Sequence, residues 1–224
     1  MVFKKIWNFL WKSNSILSWI VDIILIFLIV KFIIFPILAL IFATPVPFVI
    51  VESSSMSHQI LKDSSGRWML CGQEFETKEK VDFDKYWDTC GKWYEDEGIT
   101  KQEVLDYWDY LNGFEKGDIM IIYGGKKEYK KGEVIVFKVP SQSTPIIHRI
   151  VETNGTVWQT KGDHNSGQII EYEDLFGRTV AKGSFGSIKQ KDETEINSNE
   201  ILGKAIGRIK YLGWVKLVFV ELFS

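Results

Sequence analysis

Three consecutive serines, Ser53, Ser54 and Ser55, stand just ahead of Met56, where a long apolar run ends at Glu52. A serine hydroxyl becomes a useful nucleophile only when an adjacent base takes its proton and a third group orients that base. The sequence offers His58, His148 and His164 as bases, and Asp163, in the stretch TKGDHN, as an orienting acid. Lys161, two residues before Asp163, is a rival base. Imidazole titrates near neutrality, whereas a lysine must first have its pKa brought down by burial, so a histidine is preferred to Lys161. Each residue alone also has a plainer reading: a serine-rich linker, a histidine packed in an apolar strand, an aspartate solvated in a turn.

Elements of two kinds must bring these groups together. From Ile16 to Ala43 the only charges are Asp22 and Lys31. The run is longer than the about 20 apolar residues a helix needs to cross a bilayer core. It also exceeds the core of a cleavable signal peptide, and LIFATPVPF offers no small-x-small cleavage site, so it reads as a permanent anchor. Pro36 predicts a kink; Lys31 must snorkel, face a partner or mark the cytoplasmic edge. Lys4, Lys5 and Lys12 precede the span and Glu52 is the first charge after it, which predicts a cytoplasmic N-terminus and an extracytoplasmic remainder. Phe3, Ile6, Trp7, Leu10 and Trp11 recur at helical spacing in the lead-in. Outside the cell, Cys71 and Cys90 are a candidate disulfide.

Beyond the anchor the periodicity changes twice. Phe83, Tyr86, Trp87, Cys90 and Trp93 fall at three- and four-residue steps, and Thr100 with Glu103 fits a capping box, so two helices are expected, the second stopping near Asn112-Gly113. From Lys116 the pattern is of strands: EKGDIMIIYG and KKGEVIVFKV each place a basic residue, a glycine and an acid before a β-rich run. TPIIHRIVET, GTVWQTKG and EILGKAIGRIKYL continue the series. The expected fold class is mainly β, an N-terminal transmembrane helix followed by an antiparallel domain carrying a small helical insertion. The apolar GWVKLVFVELFS is too short to span a membrane and is expected to lie against the surface or the sheet.

The net charge is −2 and no nucleic-acid motif occurs, so nucleic acid is not an expected partner. No cofactor is implied: His164 lacks companions at metal-ligand spacing, the two cysteines alone make no zinc motif, and no phosphate-cradling glycine loop is present.

In order, SSSM, KGDIMII, GEVIVFKV, PIIHRIV and TKGDHN after an anchor resemble the type I signal peptidases, and the histidine type of archaea and the endoplasmic reticulum more than the bacterial lysine type. The resemblance covers the anchor, residues 45–56 and 114 to about 215, and leaves out the insertion. It implies Ser55 as nucleophile, His148 as base, Asp163 as the acid orienting the imidazole, and an oxyanion met by the Ser55 N–H and the Ser53 hydroxyl. Two departures stand out. Ser54 replaces a common glycine, and Ile169 stands where a second aspartate usually follows the Gly-Asp pair, leaving Glu171, Glu173 and Asp174 as candidate replacements. Arg149 is expected to pair with an acid of a Gly-Asp turn.

The expected organisation is a cytoplasmic lead-in at 1–15, the anchor at 16–44, a catalytic β-domain at 45–56 and 114–210, the insertion at 57–113, and a membrane-associating segment at 211–224. The resulting expectation is a single-pass cell-membrane serine endopeptidase, with the lipid bilayer, preprotein signal peptides cut at small-x-small sites and translocation machinery as partners. The competing expectation is a catalytically inactive anchored protein whose insertion binds an envelope or translocation partner.

Overall fold

The computed structural model describes residues 15–223 except 127, 175, 183, 185 and 186. The lead-in expected at 1–15 therefore lies, but for Ser15, outside the described residues. Helix α1, Ile16–Ile41, is capped by the Ser15 hydroxyl, which accepts from the Ser18 N–H, and is long and apolar enough to cross a membrane. Pro36 cannot donate to the helix ladder, and the turn before it, Val30–Ile34, opens into a π-helical turn in which the Phe35 N–H reaches the Val30 carbonyl. Lys31 lies in that turn, its ammonium 5.7 and 5.4 Å from the Phe27 and Phe32 ring centres.

The remainder is mainly antiparallel β. A curled seven-stranded sheet runs in the order β1 (Phe48–Ile50), β5 (Ile119–Tyr123), β13 (Ile201–Ile209), β6 (Val134–Phe137), β7 (Ile146–Thr153), β8 (Val157–Lys161), β12 (Ile196–Asn197). A second sheet joins β10 (Thr179–Val180), β9 (Ile170–Glu173) and β11 (Ile188–Asp192). The two repeated turn patterns behave alike. Gly117 and Gly132 take positive φ, 90° and 88°, and the acids after them accept backbone N–H groups three residues back, Asp118 from Glu115 and Glu133 from Lys130. Val49, Val51, Met56, Phe114, Met120, Ile122, Val134 and Val136 fill the core beneath β1 and β5.

Between Met56 and Phe114 the chain makes a separate excursion whose ends meet, Ser57 bridging Gly113. It holds helix α2 (Phe83–Asp96), capped by Asp82, and helix α3 (Lys101–Tyr107), capped by Thr100. The second helix stops earlier than expected: Trp108 is extended, its indole packed on Tyr94 and under Arg149. Nor is the excursion wholly helical, because β2 (Leu61–Lys62), β3 (Trp68–Leu70) and β4 (Gln73–Phe75) form a small sheet. Runs this short show no period, and the hairpin depends on Cys71 and Gly72 both adopting positive φ, 49° and 79°. Tyr86, Trp87, Cys90, Tyr94, Ile99 and Val104 form a core of their own, closed against Val151 of β7, and a disulfide joins Cys71 to Cys90. The chain ends on helix α4, Trp214–Phe223, which buries Leu217 and exposes Val215, Val218 and Phe219.

Candidate active site

Strand β1 delivers the serines. Val51 exchanges both its backbone groups with the β5 side, donating to the Asp118 carbonyl and accepting from the Gly117 N–H, each bond 2.8–2.9 Å. Glu52 then leaves the sheet, and the chain turns sharply enough for the Ser57 N–H to reach the Ser54 carbonyl at 3.0 Å. Two contacts fix the turn from the β8 end: the His164 N–H donates to the Ser55 carbonyl at 2.8 Å, and the wholly buried Met56 offers its sulfur to the Asp163 N–H. The strand buries Val49 and Val51, and the turn that follows buries Met56 while leaving Ser53 and Ser55 toward a groove.

His148 occupies the middle of β7, in register with Ile135 of β6. Its Nε2 lies 2.9 Å from the Ser55 hydroxyl, and its Nδ1 is hydrogen-bonded to the Glu193 carboxylate. Glu193 follows β11 and is fully buried. Its backbone bonds Thr160 and Ile169, and its second carboxylate oxygen accepts the Ile169 N–H at 2.6 Å. Burial pushes the Glu193 carboxyl upward, but the charge and hydrogen bond of His148 and the Ile169 N–H more than offset it, so the group is held below its ordinary value. Ser53 and Ser55 hydroxyls are 3.2 Å apart.

Asp163 departs from its expected place. With both ring nitrogens of His148 already engaged by Ser55 and Glu193, Asp163 turns the other way. It accepts two bonds from Arg149, at 2.9 and 2.6 Å, and one contact from His58 at 2.9 Å. Burial opposes its charge, yet the Arg149 guanidinium and the His58 bond hold the carboxyl well below the usual range. Arg149 carries the arrangement into the excursion through the Asp109 and Tyr110 carbonyls and the Trp108 ring, 4.5 Å away. Asp163 is therefore the hub that ties β7, the serine turn and α2 together.

The other candidates are elsewhere. Lys161 is buried behind the site, its ammonium bonded to the Tyr94 hydroxyl and the Gly162 carbonyl, and burial lowers its pKa to about 8. Glu171 is exposed and Asp174 pairs with Arg178. Glu193, absent from the expected set, is the carboxylate that meets His148 Nδ1; its only sequence signal was the lack of an acid at Ile169, whose backbone N–H now holds it.

The groove in front of Ser55 has a volume of about 430 Å³ and is lined by Phe48, Ile50, Pro145, Ile146 and Ile169, with Asn165 sharing the lining with Ser55. β1 is the sheet's edge strand. Because Val51 turns its peptide groups to β5, alternation turns those of Phe48 and Ile50 to the groove, where they can pair with an extended chain. A hydroxyl, an imidazole and a buried carboxylate in series, facing an edge strand, can carry out acyl transfer on a peptide laid along that edge.

Comparison with known proteins gives that class a family likeness. No family model matches the chain. It is homologous over about half its length to signal peptidase complex catalytic subunits SEC11: 32% identical over 113 residues to that of Eremothecium gossypii and 31% over 114 to that of Lachancea thermotolerans, each match covering 48% of this chain and 59% of the relative. The subunit of Yarrowia lipolytica is 23% identical over 112 residues, 48% of this chain and 56% of the relative. The chain thus spans somewhat over half the length of the curated relatives it matches.

Proposed function

We propose that this chain is a membrane-anchored serine endopeptidase that removes signal peptides from exported preproteins. The observation that carries the reading is the unbroken series Ser55–His148–Glu193, whose first two members line a groove walled by a strand edge that is unpaired among the described residues. The substrate's cleavage region adds as a strand along Phe48 and Ile50, and the apolar groove takes alternate side chains, small ones at the first and third positions before the cut. Ser55 Oγ attacks the scissile carbonyl carbon while its proton passes to His148 Nε2. The oxyanion is met by the Ser55 N–H and the Ser53 hydroxyl. The C–N bond then breaks as Nε2 returns the proton to the leaving nitrogen, and water, deprotonated by the same imidazole, hydrolyses the acyl-serine. Glu193 keeps the proton on Nδ1 and stabilises the imidazolium.

Helix α1 anchors the enzyme with its N-terminus cytoplasmic, and the exposed apolar face of α4 seats the β-domain on the outer leaflet. The test is purified protein in liposomes with a preprotein bearing a small-x-small site, followed by mass spectrometry. Cleavage at that site, lost in both Ser55→Ala and His148→Ala, is expected. Absence of cleavage by folded wild-type protein, or its persistence in Ser55→Ala, refutes the reading.

A further inference from the structure

The turn after β8 brings a second donor to the nucleophile. The Asn165 N–H closes the turn on the Gly162 carbonyl at 3.0 Å, and the side chain lines the groove together with Ser55 and His148. Its amide nitrogen is buried and, among the described residues, has no partner; of the buried side-chain polar atoms in that condition it is the one whose residue faces the groove. Buried donors are ordinarily paired, and one left open beside a reactive centre is open for a ligand. Its position is defined by Gly162: a Cβ there would stand 2.7 Å from Asn165 Nδ2, 2.8 Å from His148 Nε2 and 2.8 Å from the Ser55 carbonyl. Asn165 is thus on the base's side of the nucleophile, whereas Ser53 touches Ser55 directly through its hydroxyl. In acyl transfer the atom opposite the base is the leaving nitrogen, so a donor next to Nε2 meets the segment that departs rather than the oxyanion.

We infer that the Asn165 side-chain amide is a substrate-contacting donor that holds a backbone carbonyl of the leaving segment and so presents the leaving nitrogen to His148. This rests on the peptidase reading above. It predicts that Asn165 matters only when the substrate continues past the cut. Two substrates with one common acyl segment separate the possibilities: a signal-peptide-derived peptide extended on the leaving side, and the same segment ending as an alkyl ester. The readout is the ratio of kcat/KM for peptide to that for ester, in which folded fraction and oxyanion stabilisation cancel. For Asn165→Ala the ratio should fall by about five- to tenfold, the effect of one neutral hydrogen bond. Asn165→Asp, of the same shape but without donors, should lower it at least as far. An unchanged ratio in both variants, with peptide and ester falling together or not at all, overturns the inference alone. Failure of wild-type protein on both substrates removes the peptidase reading and this inference with it.

Discussion

Glu193→Gln is the sharpest perturbation of the site, because the surrounding bonds dictate how the new amide must sit. The Ile169 N–H needs an acceptor, and on the substituted side chain only the amide's carbonyl oxygen can serve. The NH₂ group then faces His148 Nδ1, which must present its lone pair, moving the ring proton to Nε2. In that tautomer Nε2 can no longer take the Ser55 proton across the 2.9 Å bond. The charge is lost as well: a carboxylate about 4 Å from the developing imidazolium is worth about 4 kcal/mol at an effective dielectric near 20, and each 1.36 kcal/mol is about a factor of ten in rate. Glu193→Gln should therefore lower kcat by about 10³-fold with KM and melting temperature little changed. The assay is steady-state cleavage of a fluorogenic signal-sequence peptide in detergent, with Asp163→Asn in parallel. Retention of more than a third of wild-type kcat in Glu193→Gln would sink the assignment, as would a larger selective loss in kcat for Asp163→Asn.

Contacts around the site set three further outcomes. Asp163→Asn breaks a buried pair with Arg149 and should cost about 3 kcal/mol of stability near neutral pH. Because the folded pKa of Asp163 lies below its unfolded value, its contribution is complete above about pH 4 and fades as pH falls further, so denaturation midpoints of wild type and variant should converge in acid; a constant gap down to about pH 2 contradicts this. Gly162→Ala should reduce kcat by about 10²-fold, since its Cβ would press on His148, Ser55 and Asn165 together, and kinetics at wild-type-like activity would show that the turn yields. Reducing the Cys71–Cys90 bond, which spans 19 residues, should cost about 3 kcal/mol by thermal melt. Activity should fall with it, because the Cys71 N–H holds the His164 carbonyl and the His164 N–H holds that of Ser55.

Local rules made much of this legible. The anchor, the strands launched from Gly117 and Gly132, the helix over Phe83–Asp96 and the meeting of Ser55 with His148 all rest on period, turn chemistry or motif order. What was hidden depends on long-range closure. Glu193 reaches His148 only because β11 folds back so that its end pairs with Thr160 and Ile169, and KQKDETEIN carries no mark of that beyond a polar turn. Asp163 was misdirected for the converse reason: a Gly-Asp next to the motif histidine's strand looks like a catalytic neighbour, and although Arg149 was expected to pair with an acid of a Gly-Asp turn, only packing shows that the acid is Asp163 itself.

The bridge between Ser57 and Gly113 has a topological consequence. Opposed residues of an antiparallel pair lie about 4.5–5.5 Å apart, so the excursion enters and leaves the β-domain through a single narrow neck. Its length can change without altering the path from Ser55 into β5, since the Phe114 N–H is already bonded to the Met56 carbonyl across the neck. A shortened chain could rejoin there almost without a linker. It would, however, uncover Arg149 and Asp163, whose partners Asp109, Tyr110 and His58 leave with the excised loop, so these two positions would have to change together with it.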